Sequence, residues 1–392
     1  MLYGSMDPNE RFRARRDQTR RRRRRRRAAL LGVPLLAIVV LGAGWQLRSA
    51  HGRHEKAPAA AKTASPETAP VARGPRPLPV EIRGVHVTGP LASLKGKLAS
   101  YAALQKDGLN TIELDIKDET GDVAFASSSV PLVRTIGAAR DYYDPRAVAR
   151  MLHAKGIYLI GRIVVFQDPL LAAARPELAV RRSDGRVWTT SAGLAWVDPY
   201  DRRVWAYDVG IAAAAARAGF DEIMFDYVRF PSDGNVGDAV YPARTAESRG
   251  RVIADFAAYA AKRLAPFGAR VSTAVFGLAA TRDLRIGQVP RWISQHVDTV
   301  DPMAYPALYG SGELGIDSPS AQPGETVFRT LLDFRRQLRG TKAHLVPWIQ
   351  DWGYSLQQVQ AQIDAARLQG AKGYLLWNAE GVYTPGALEP AP

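Results

Sequence analysis

No cysteine occurs anywhere in the 392 residues. That removes disulfides, thiol nucleophiles and cysteine metal sites from consideration. Histidine is also scarce, at six residues, and no second histidine stands at ligand spacing from His86, so a His-rich metal centre has no support and no metal or other cofactor is expected. No glycine-rich phosphate loop follows the first strand-like run at 82–87, which disfavours an open, doubly wound nucleotide-binding sheet. No repeat of 20–50 residues recurs. A basic surface is missing too, once the charge is located as well as summed. The formal charge is +15, but residues 1–27 hold 12 Arg against Asp7, Glu10 and Asp17, and residues 28–83 hold 7 Lys or Arg against 3 acids. Residues 84–392 then carry 34 basic and 32 acidic side chains. This near-neutral body offers no footprint for a phosphate backbone, so no nucleic-acid partner is expected.

Charge is absent altogether from Ala28 to Leu47, a stretch of 20 residues bounded by Arg27 and Arg48 and rich in Leu, Val, Ile and Ala. That is the length a helix needs to cross a bilayer. The basic run Arg20 to Arg27 on its N-terminal flank would stay in the cytoplasm. The expectation is a single-pass protein of the cell inner membrane, with its N-terminus cytoplasmic and its C-terminal body outside. A cleaved signal peptide, leaving a secreted protein, is the alternative; Gly42-Ala43-Gly44-Trp45 makes a poor small-x-small cleavage site. Residues 48–82 carry Pro58, Pro66, Pro70, Pro75, Pro77 and Pro79 among Ala, Lys, Thr and Glu, a composition that cannot bury a core and reads as a disordered, semi-extended linker. At ~3.1 Å per residue it would hold a domain up to about 100 Å away from a membrane. Such reach suits work on a cell-envelope polymer.

From Arg83 onward the pattern alternates. Strand-like runs at 82–87, 110–116, 157–165, 221–227, 270–276, 298–303, 343–349 and 372–377 are separated by amphipathic helices at 91–106, 145–154, 203–217, 245–264, 325–338 and 355–369. Eight strands alternating with helices over residues 83–392 predict an α/β fold, a (β/α)₈ barrel. Only 15 residues follow Trp377, so the last helix is expected to be short or missing. In such a barrel the functional groups gather at the C-terminal ends of the strands. Those ends carry His86; Asp115, Lys117, Asp118 and Glu119; Arg162 and Gln167; Asp226, Tyr227 and Arg229; Asp301 and Tyr305; Trp348, Gln350, Asp351 and Trp352; and Trp377, Asn378 and Glu380. Carboxylates converging with Trp and Tyr suit a sugar, whose faces stack on aromatic rings and whose hydroxyls need fixed polar partners.

The most specific string is Phe225-Asp226-Tyr227-Val228-Arg229-Phe230-Pro231. With Trp196-Val197-Asp198-Pro199-Tyr200, Arg83-Gly84-Val85-His86-Val87-Thr88, the run from Asn110 to Asp118 and Asp301-Pro302-Met303-Ala304-Tyr305-Pro306, it resembles the bacterial putative glycosyl hydrolase domain family. That likeness runs from Arg83 to about Tyr383 and implies a TIM barrel with carbohydrate chemistry, its substrate left open. Gly219 to Val228 also looks like the fourth-strand motif of chitinase-type barrels, which ends Asp-x-Asp-x-Glu. Here Met224 replaces the first Asp and Val228 the Glu, so that mechanism is not available from this strand.

Glycoside hydrolysis needs two carboxyl groups flanking the scissile bond. Asp226 is the expected nucleophile or base, with Arg229 nearby favouring its ionised form, and Asp301 the expected acid. Asp115 and Glu119 are the alternative partners for Asp226. A plain Asp226–Arg229 ion pair holding a loop, or an Asp301 that only caps a turn, are the structural alternatives. Lys117 and Asp118 read equally as solvated loop charge. His86, Asp115, Glu119, Tyr227, Arg229, Tyr305, Trp348, Asp351, Trp377 and Asn378 are expected to bind substrate, His86 as a hydrogen-bonded floor residue and the Trp residues as sugar platforms or as core. The expected partner is therefore a carbohydrate; a non-catalytic glycan-binding or scaffold barrel is the alternative.

Overall fold

The computed structural model describes residues 74–390. The Arg-rich segment 1–27, the uncharged 28–47 span and the 48–73 part of the linker lie outside the described residues. Among those described, no helix is long and apolar enough to cross a membrane.

Nine strands, all paired in parallel, run β1 (Ile82–Val87), β2 (Thr111–Lys117), β3 (Tyr158–Val164), β4 (Glu222–Asp226), β5 (Arg270–Phe276), β6 (Thr299–Ala304), β7 (His344–Leu345), β8 (Trp348–Gln350) and β9 (Gly373–Trp377). The neighbour order β5-β4-β3-β2-β1-β9-β8-β6 closes on itself through β5–β6. This is an eight-position parallel barrel, because β7 and β8 share one position. The sequence predicts a single strand at 343–349, and Pro347 breaks it, having no N–H to give. β6 pairs with β7 through Thr299 and Val300, and with β8 through Met303 and Ala304. Between them Asp301 and Pro302 face the break, and Val346 N–H donating to the Val300 carbonyl keeps the seam stitched.

The helices follow from capping as much as from periodicity. Asp201 caps Arg202–Ala218 by accepting the Arg203 N–H, and Gly219, at φ 112°, ends it in the left-handed conformation that glycine adopts without strain. Ser248 caps Arg249–Leu264, and Ser355 with Gln358 forms a capping box on Leu356–Leu368. One crossover differs from expectation, and another, for which the sequence reading named no helix, is short. The predicted helix at 91–106 is broken into Gly89–Ala92, Lys97–Ala102 and a 3₁₀ turn at Ala103–Asp107, and between β5 and β6 only one turn of helix forms, at Pro290–Ile293.

Among the described residues no helix follows β9. The chain from Asn378 to Pro390 turns back across the strand: the Tyr374 hydroxyl donates to the Ala387 carbonyl at 2.8 Å, and Ala387 and Leu388 are buried. Leu388 lies so near Gly108 (φ 103°) that a Cβ there would come within 2.1 Å of its carbonyl oxygen, so glycine is required on both counts. Strand alternation then divides the core. One apolar set, including Ile82, Tyr158, Ile160, Met224 and Leu375, fills the barrel, and a larger set packs barrel against helices.

Candidate active site

The same alternation carries His86, Asp115, Arg162 and Asp226 inward near the C-terminal strand ends. Register does the rest. His86 lies opposite Glu113, Asp115 opposite Arg162, and Arg162 opposite Met224, two residues before Asp226. The result is a cross-strand bridge: Arg162 Nη1 donates to Asp115 Oδ1 at 2.8 Å, while its Nε and Nη2 donate to Asp226 Oδ2 at 3.0 and 2.7 Å. Asp226 Oδ1 accepts the Tyr227 N–H at 2.7 Å. Tyr227 stands at φ 53°, a costly backbone for an aromatic residue, and this turn aims the Asp226 carboxylate at its own neighbour's amide.

The guanidinium on Asp226 is therefore that of Arg162, and the expected partnership with Arg229 is corrected. Arg229 is buried and packs its guanidinium on the rings of Trp196, Phe276 and Tyr227, at 4.8, 4.7 and 5.0 Å, while Nη1 donates to the Phe230 carbonyl and Ser232 Oγ. Arginine accepts such stacking because its planar cation is weakly hydrated. It braces the turn after β4.

Above the bridge lies a cavity of about 370 Å³, whose wall includes Asp115, Asp118, Glu119, Arg162, Asp226 and Glu380. Asp118 is not solvated loop charge. Its Oδ1 accepts the N–H groups of Thr120 and Asp122 and the Thr120 hydroxyl, which fixes the carboxyl at the cavity wall. Burial, then the neighbouring Glu119 and Asp115 charges, push its pKa up to about 6. Lys117 turns the other way. A register shift between Asp115 and Lys117 sends it out of the barrel, where it is fully buried with Nζ 2.7 Å from Asp168 and 2.6 Å from Asp208.

His86 does form part of the floor, with Nδ1 3.4 Å from Glu113, Nε2 3.7 Å from Asp115 and its ring 5.7 Å from that of Trp348. Burial opposes its protonation, but Asp115 and Glu113 outweigh burial and its pKa is raised. Tyr227, Arg229, Tyr305, Trp348 and Trp377 also reach the cavity. Trp377 and Tyr305 stack with Trp352 as one aromatic cluster, with centroids 5.2–5.8 Å apart. Three expected residues do not line the wall. Asp301 is 1 % exposed inside the barrel, its pKa driven well up by burial and by Glu222 and Glu113. Asp351 accepts from the Thr384 N–H and hydroxyl, and Asn378 donates to the Asp351 carbonyl, so both hold the returning tail. Asp118 and Arg162 stood among the strand-end groups of the sequence reading but were given no role there. The signal for Arg162 was its inward parity in a strand that is otherwise apolar. Among the described residues no three His, Asp or Glu converge in a metal-binding arrangement.

A closed parallel barrel with a carboxylate-lined, aromatic-floored cavity at the C-terminal strand ends defines a glycosyl-hydrolase-like protein. The chain belongs to the family described as Putative glycosyl hydrolase domain, which it matches over residues 84–383. No curated protein matches it. Among solved structures, the PgaB (BpsB) glycoside hydrolase domain from Bordetella bronchiseptica is similar at TM-score 0.57 and 16% identity, covering 77% of this chain and 95% of that one. A beta-galactosidase from the psychrophilic Marinomonas ef1 is similar at TM-score 0.51 and 11% identity, covering 78% and 57%. A hypothetical protein from Ruminiclostridium thermocellum ATCC 27405 shares 35% identity over 48% of this chain and 96% of its own, at TM-score 0.45.

Proposed function

We propose that this protein is a glycosidase of an extracytoplasmic polysaccharide or cell-envelope glycan, with Asp118 as the acid and Asp226 as the nucleophile or base. One observation carries the reading: a single cavity holds two carboxyl groups in opposite environments. Asp118 is raised to about 6 and can deliver a proton near neutrality, whereas both Asp226 oxygens accept hydrogen bonds, Oδ2 from Arg162 and Oδ1 from the Tyr227 amide. Asp115 shares the same arginine and serves as the third member of the bridge. Asp301, buried below, tunes the electrostatics of the barrel interior and leaves the acid's role to Asp118. Trp348 and Trp377 supply stacking faces for a sugar ring.

The engagement of both Asp226 oxygens within the protein favours a second reading, a barrel that binds glycans without cutting them. A polysaccharide panel with product analysis separates the two. The wild-type chain is expected to release sugars, and Asp118→Asn and Asp226→Asn to lose turnover by several orders of magnitude while retaining binding. Binding with no release by wild type would establish the non-catalytic reading. Location is part of the proposal: Arg20–Arg27 beside the uncharged 28–47 span supports an inner-membrane anchor with the barrel outside the cytoplasm.

A further inference from the structure

The cavity is two-sided. The charged groups come chiefly from β2 to β4, with Thr88, Pro90 and Leu91 beside them after β1, whereas the side after β5 and β6 is mostly apolar, with Phe276, Leu278, Leu284, Met303 and Leu308 next to the ring of Tyr305. The Tyr309 hydroxyl, which also borders this side, is committed to Thr330 Oγ1 at 2.9 Å. A bare sugar carries hydroxyls around its whole rim, and those facing Phe276, Leu278, Leu284, Met303 and Leu308 would lose water without gaining partners, a penalty that opposes binding. An alkyl or acyl chain would gain about fourfold in affinity for each methylene fully removed from water. The wall is continuous with the carboxylate-bearing half, so whatever covers it is attached to the sugar held there. At about 370 Å³ the space is in the range of ligand-sized sites.

We propose that this wall is a subsite for an aliphatic substituent on the substrate, so that the substrate class is an acylated glycan or a sugar bearing an alkyl aglycone. The proposal rests on the glycosidase reading for the position of the sugar, and its test measures binding, which is independent of turnover. Calorimetric titration of the purified full chain compares hexyl with methyl β-D-glucoside, β-D-galactoside and N-acetyl-β-D-glucosaminide, and N-hexanoyl- with N-acetylglucosamine. For at least one pair the six-carbon member is expected to bind at least tenfold more tightly. An advantage confined to the glycosides assigns the chain to the anomeric side, and one confined to the amide assigns it to an acyl group. Leu284→Asn and Leu308→Asn are expected to bring the ratio toward one, while Leu284→Met keeps it; melting curves confirm that each variant is folded. Equal affinities within every pair, no binding by any six-carbon ligand, or a ratio that survives both Asn variants would overturn the subsite. Chain-length dependence with no glycan cut sinks the glycosidase reading alone, and cleavage without that dependence sinks the subsite alone.

Discussion

Asp118 links stability to acidity in a way that can be measured without knowing the substrate. Its carboxyl is raised from 3.8 to about 6 by burial and by Glu119, so the folded chain holds this proton more firmly than the unfolded one. The associated stability is fully present below pH ~4 and is lost as pH rises through about 6. Asp118→Asn, which cannot ionise, should therefore unfold later than wild type at pH 7–8, by on the order of 1–3 kcal/mol, with the gap closing near pH 4. Denaturant curves at the two pH values check this, and a pH-independent gap would refute it. Turnover should fall across the same interval, since an acid must be protonated to act. That role was hidden in the sequence because Asp115, Lys117, Asp118 and Glu119 form one mixed-charge run, and only the shift in β2 register sorts them. Asp226 was legible because it closes an apolar strand. Its partner was not, since Arg229 is near in sequence while Arg162 is near in register.

The shift in β2 also governs how an element is held. Lys117 lies between Asp168 and Asp208; it ties the β3 loop and the Arg202–Ala218 helix to the barrel, and burial leaves Asp208 raised to about 7 even with the lysine beside it. Lys117→Met would leave two buried carboxyls facing each other and should cost about 3–5 kcal/mol in a denaturant melt. A change below about 0.5 kcal/mol would mean the triad is dispensable. Strand periodicity located each barrel position, and capping residues located the long helices. What periodicity could not show was the break at Pro347, where β6 pairs with one half-strand before Asp301-Pro302 and with the other after it, or the course of the tail that stands where an eighth helix was expected to be short or missing.

At the scale of the molecule, eight alternating runs were enough to specify a closed barrel, and the FDYVRFP string, with the motifs around Trp196, Arg83, Asn110 and Asp301, was enough to place it in its family. The sidedness of the cavity was not legible, because it depends on which loops fold over the rim. The topology of the whole chain is tested by a reporter fused after Pro392. Activity is expected only outside the cytoplasm, and a cytoplasmic signal would refute the anchor reading.

The entry of the chain into the barrel has a directional consequence. Glu81, just before β1, bonds to Arg367 at the end of the last helix, and Arg367 also donates to the Glu389 carbonyl of the returning tail. Both ends of the described chain therefore meet at the N-terminal rim, while the cavity opens at the opposite rim. The described chain thus enters the barrel at the rim opposite the mouth. A polymer approaching the mouth would meet the carboxylates first, whereas one lying against the rim where the described chain enters would meet only the closed end.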